Sequence, residues 1–81
     1  MKIYRVVRDY QGGEFGTDRD YTAKEWLEQM LEWRSADGID DEDYERERGY
    51  WAKAIETPYG EQMLIDYIAE IWQLEFEEIK E

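Results

Sequence analysis

Residues 57–72 constrain the fold more than any other stretch of this chain. Thr57-Pro58 opens the segment with a side chain able to cap a helix. The proline that follows has a fixed φ and no amide to satisfy, which suits the first helical position. Met63, Leu64, Ile65, Tyr67, Ile68, Ile71 and Trp72 then cover roughly two-thirds of the helical circumference, leaving Gln62, Asp66, Glu70 and Gln73 as a narrow polar stripe. A helix so broadly apolar must be covered on most sides. It is predicted to be the central helix of the domain.

The chain has 81 residues and no cysteine, so the whole of 1–81 is read as a single small domain. A chain of this length buries only roughly 60% of its extended surface. Without disulfides its core must come from large side chains. Four Trp, seven Tyr and two Phe supply them, and they argue against reading the low hydropathy as disorder.

Lys2 to Asp9 carries Ile3, Tyr4, Val6 and Val7 and predicts a strand. Gly12-Gly13 suits a tight hairpin turn. Glu14 to Tyr21 returns, with Phe15 and Thr17 available for pairing; Gly16 and its charged neighbours make this strand short, bulged or an edge. Thr22-Ala23-Lys24-Glu25 fits a capping box. Trp26, Leu27, Met30 and Trp33 recur behind it at helical spacing, with Glu25, Glu28 and Glu32 on the opposite side. This helix is predicted to run to about Ser35 and to end at Asp37-Gly38.

Asp40 or Asp41 caps a second helix, in which Tyr44, Arg48, Trp51 and Ile55 share a face. Gly49 inside it marks a kink or a close helix contact. After Gln73 the helical period fails. Trp72, Leu74 and Phe76 alternate with Gln73, Glu75 and Glu77, so a strand is predicted over roughly 73–79, with a helix continuing to 79 as the alternative. The fold class is therefore α+β: a short antiparallel sheet, formed by the N-terminal hairpin joined by the C-terminal strand, packed against three helices in the order ββαααβ.

Charge governs what the domain can do. Ten Lys and Arg face twenty-two Asp and Glu, there is no histidine, and the net charge is −12. Such a surface repels nucleic-acid phosphates and anionic membranes. Absence of His and Cys removes histidine-dependent catalysis, thiol nucleophiles and zinc clusters, and the chain is too small to favour a cleft in which paired carboxylates act as acid and base. Ser35 has no histidine to activate it, and no phosphate-binding loop follows Gly12-Gly13. The acidic cluster Asp37, Asp40, Asp41, Glu42 and Asp43 lacks the register of a calcium-binding loop. The reading is no enzyme, no catalytic residue, no cofactor and no metal. No apolar run approaches a membrane span and no signal-peptide pattern opens the chain, so a cytoplasmic protein is expected.

The acids are unevenly spread. Residues 1–24 hold five basic and four acidic side chains, whereas residues 25–81 hold five basic and eighteen acidic ones. Residues 37–47 are densest, with seven carboxylates among eleven residues. Carboxylates one helical turn apart are separated by about 6 Å along the axis, so rows of them can imitate a nucleic-acid backbone. The predicted partner is the basic surface of a host nucleic-acid-binding protein, which the chain would occupy as an inhibitor or regulator. The candidate contacts are Glu28, Glu32, Asp40, Asp41, Asp43, Glu45 and Glu47, then Asp66, Glu70 and Glu77. Tyr50 and Tyr59 lie beside predicted core positions and are candidate interface aromatics. The alternative is a small structural or assembly protein, homodimeric through exposed aromatics, without mimicry. In size and composition the whole chain resembles small acidic proteins carried by bacteriophages and other mobile elements, antirestriction and anti-CRISPR inhibitors among them. No motif carries that resemblance, and it implies phage origin without assigning residues or fold.

Overall fold

The computed structural model describes residues 2–10 and 20–79. Along β1 (Ile3–Asp9) Tyr4 and Val6 are buried, while Arg5 and Val7 point outward. That alternation is what a strand with one covered face requires. β2 (Asp20–Tyr21) and β3 (Leu74–Ile79) flank β1, and both pair with it antiparallel in the sheet order β2-β1-β3. Tyr4 sits opposite Tyr21 and Arg5 opposite Asp20, which puts the second strand where a hairpin return would place it. The predicted Gly12-Gly13 turn and the earlier part of that strand lie outside the described residues. Between β1 and β3 the register slips at Val7: Val6 faces Phe76 and Arg8 faces Glu75. Val7 is the extra residue of a β-bulge and is left exposed.

Each helix starts where its cap is written. Thr22 accepts a hydrogen bond from the Glu25 amide, and the Glu25 carboxylate accepts one from the Thr22 amide, completing the capping box of α1 (Ala23–Ala36). Gly38 follows with φ of 92°, a conformation for which glycine is suited. α2 (Asp41–Ala54) has Asp40 as its N-cap residue, without a side-chain cap bond, and three acids in its first turn. α3 (Pro58–Trp72) has Pro58 in its first turn, and Thr57 Oγ1 accepts from the Gly60 amide at 3.0 Å. It stops at Gln73, which adopts the left-handed conformation at φ 55° and ψ 55°. The chain then enters β3, so the strand predicted over roughly 73–79 is present at Leu74–Ile79 and the helical alternative is not.

The buried residues form one cluster drawn from β1, α1, α2, α3 and β3. Trp26 is fully buried within it. Its ring centroid lies 5.0 Å from that of Tyr21, 5.1 Å from that of Phe76 in an edge-on contact and 6.4 Å from that of Trp33. Its indole N–H donates to the Tyr4 carbonyl at 2.8 Å, tying α1 to β1. Leu64, Ile65, Ile68 and Trp72 turn the apolar side of α3 into the same core. α2 packs on α1 and α3 and contributes one buried residue, Trp51. Trp51 and Tyr67 lie 5.1 Å apart, centroid to centroid.

Gly49 stands in α2 with open space where a Cβ would be. No packing reason for the glycine exists there, and it makes no close helix contact. Gly49→Ala is therefore expected to raise stability by about 0.5–1 kcal/mol, since alanine loses less backbone entropy in a helix. Thermal melts followed by circular dichroism read this as a gain of a few degrees.

Candidate functional site

The turn after α1 and the opening of α2 gather one sign of charge. Asp37, Asp40, Asp41, Glu42, Asp43 and Glu45 are all exposed and fall within nine residues with no Lys or Arg between them. They are held in place by the Asp40 carbonyl, which accepts the first intrahelical bond from Tyr44 at 2.8 Å, and by Tyr44 and Trp51 packing inward. Early carboxylates also suit the positive end of the helix dipole, so the sequence that makes the surface acidic also starts the helix. Arg46 engages Glu42 at 3.2 Å and Asp43 at 3.3 Å. These are exposed pairs and contribute little to stability. Among the described residues Asp40, Asp41 and Glu45 make no ion pair.

The remaining candidate carboxylates are not part of this pole. Glu28 is exposed but lines a cleft with Lys24 and Arg48, beside the C-terminal half of α2. Glu32 is exposed on α1, with the Gln29 side-chain amide 3.5 Å away. Asp66 accepts from the Gln62 side-chain amide at 2.9 Å, and Glu70 is exposed one turn further along α3. Glu77 is exposed on β3 directly opposite Arg5, which also binds Asp20 through two hydrogen bonds of 2.6 and 2.8 Å. Those bonds hold the Asp20 carboxyl below the usual carboxylate range. The acids thus divide into a concentrated pole at Asp37–Glu45 and dispersed residues elsewhere, several of them beside cations.

Glu47 differs from every other candidate because it turns inward. Its side chain is only 13% exposed; Oε2 accepts from Arg34 Nη2 at 3.0 Å, and the Tyr67 hydroxyl lies 3.4 Å from Oε1. This network joins α1, α2 and α3. The sequence offered no direct signal for it, because Arg34 and Tyr67 are thirteen and twenty residues from Glu47. Of the two candidate interface aromatics, Tyr50 is 57% and Tyr59 77% accessible.

Burial, followed by the charge of Glu47, pushes the Tyr67 hydroxyl above its ordinary pKa. Burial, followed by the charges of Glu61 and Glu78, does the same to Tyr4. In the unfolded chain both tyrosines ionise near pH ~10. The folded state then retains protons that the unfolded state has lost, so stability is complete below that pH and declines as pH rises through the folded values. Thermal melts between about pH 9 and 12 should show this alkaline loss, and Tyr67→Phe should make it shallower. An equally steep loss in the Phe variant would contradict the assignment.

Among the described residues no three carboxylates converge closely enough to hold a metal ion, and no helix is long and apolar enough to cross a membrane. No known protein family, characterised protein or solved structure matches this chain.

Proposed function

We propose that this domain binds a basic surface of another protein through the acidic pole at Asp37–Glu45, and that it acts as an inhibitor or regulator by occupying a nucleic-acid-binding site. The observation that carries this reading is the run of six exposed carboxylates, without an intervening cation, on a turn and helix start anchored to the core. Such an array attracts a basic partner over a distance and raises its association rate. Its carboxylates sit on ordered backbone, so less freedom is lost when they are engaged. Salt screens the attraction between such an array and a basic surface, so binding weakens as ionic strength rises.

The test is capture from bacterial lysate on the immobilised protein, compared with a variant in which Asp40, Asp41 and Asp43 become Asn and Glu45 becomes Gln. These changes keep an N-capping residue at position 40 and leave the Arg34–Glu47–Tyr67 network intact. Binding should fall at least ~10-fold, the equivalent of about 1.4 kcal/mol. Undiminished capture would place the partner contact elsewhere.

A further inference from the structure

The three helices are held very unequally. α1 and α3 each bury five residues, whereas α2 buries Trp51 alone of its fourteen. Tyr44, Ala54 and Ile55 add partial cover. Clefts open on both flanks of α2. One, of about 510 Å³, lies between Tyr50 and Trp51 of α2, Arg34 of α1 and Tyr67 of α3. Another, of about 450 Å³, lies between Leu27 of α1 and Ala52 and Ile55. Most helical stability in a domain comes from tertiary packing, and α2 receives little of it. Gly49, with no packing role, weakens the helix further. Two features fasten it. At its C-terminal end the Ala54 carbonyl accepts from the Thr57 amide and hydroxyl and approaches Gly60 too closely for a Cβ to fit between them. Near its middle Glu47 binds Arg34 of α1 and Tyr67 of α3. Arg34 Nε is buried without an acceptor among the described residues, so Glu47 is what holds that guanidinium.

We propose that α2 is a hinged strap: it unfolds away from α1 and α3 as a unit when the Glu47 latch releases, pinned at the Ala54–Gly60 contact, while the sheet, α1 and α3 keep their core. The rest can stand without it. Trp26, Met30, Leu31, Leu64, Ile68 and Val6, the largest fully buried side chains, all lie outside α2. Domains open in such cooperative units at a lower free energy than global unfolding, and the unit with fewest buried contacts opens first. Asp41, Glu42, Asp43 and Glu45 ride on the free end of the strap, so opening dissolves their ordered array, and a ligand that binds the closed form holds the strap shut. That consequence rests on the acidic-pole reading above; the opening itself does not.

Native-state amide hydrogen exchange, read residue by residue by NMR on the free protein, tests the strap without any partner. The amides of Glu45 to Ala52 should be at least ~10-fold less protected than the slowest amides of β1, α1 and α3. Two variants separate strap opening from global unfolding. Val6 lies in the sheet, whereas α2 packs on α1 and α3. Val6→Ala should therefore speed exchange of the slowest amides at least ~10-fold and leave the α2 rates unchanged, because the contacts it weakens persist when the strap is open. Leu74→Val is the milder change of the same kind should Val6→Ala not fold. Glu47→Gln keeps the side-chain volume and removes the charge; it should speed α2 exchange at least ~5-fold. Equal protection of α2 and the sheet, or Val6→Ala and Leu74→Val accelerating α2 as much as β1, overturns the strap. Unchanged α2 rates in Glu47→Gln overturn the latch. Neither result touches the acidic pole, which stands or falls on capture of a partner.

Discussion

Trp26→Ala is expected to leave the protein largely unfolded. The side chain is wholly inaccessible and touches Tyr21, Trp33 and Phe76, so it joins α1 to both flanking strands. Truncating a buried Trp costs about 3–5 kcal/mol, through lost transfer energy and the cavity left behind. A domain of this size holds only roughly 4–12 kcal/mol in total. Loss of the 2.8 Å bond to the Tyr4 carbonyl adds to the cost. Trp26→Phe separates the two contributions: it keeps most of the ring contacts and removes the donor, and should cost about 1–2 kcal/mol. Urea denaturation of both variants checks the order. A Trp26→Ala loss below about 1 kcal/mol would mean that the core is not organised around this ring.

Gly60→Ala is expected to destabilise by about 3 kcal/mol or more, a fall in melting temperature on the order of 15 °C. The usual effect of this substitution in a helix has the opposite sign, because alanine is favoured over glycine by roughly 1 kcal/mol. At position 60 an added Cβ would stand 1.7 Å from the Ala54 carbonyl oxygen and 2.4 Å from its carbon. Both atoms are backbone, and that carbonyl also accepts from the Thr57 amide and hydroxyl. No rotamer relieves the clash; the end of α2 and the start of α3 must separate. Gly49→Ala, in open space one helix earlier, is the internal control. Opposite signs for the two alanines are the expected result, and a stabilising Gly60→Ala would contradict the close approach of α3 to the Ala54 carbonyl. The same substitution should also disturb the cleft at the α2–α3 junction, which Gly60 lines with Tyr50, Tyr59 and Met63.

Local chemistry made most of the fold legible. The Thr22 and Thr57 caps, Pro58 and the change of period after Trp72 each describe a segment within its own few residues, and the elements begin and end there. What escaped was set by tertiary context. Gln73 takes a left-handed conformation that glycine would adopt more easily; its carbonyl accepts from the Tyr10 amide at 2.9 Å, a contact with the far end of β1 that no local pattern announces. The bulge at Val7 depends on how β3 pairs. Glu47 belongs by spacing to the acidic run but is drawn inward by Arg34 and Tyr67, partners from two other helices. Charge density along the sequence therefore located the pole, while only the packing separated its outward carboxylates from the one that holds helices together.

Competition between nucleic acid and this protein for the captured partner tests the functional reading most directly. Duplex DNA and single-stranded RNA would be titrated onto the immobilised complex at low and physiological salt. The expected result is displacement by one of them, together with a steep loss of affinity as salt rises, because both ligands neutralise the same basic surface. A partner that stays bound under saturating DNA and RNA, with affinity indifferent to salt, would contradict occupation of a nucleic-acid site.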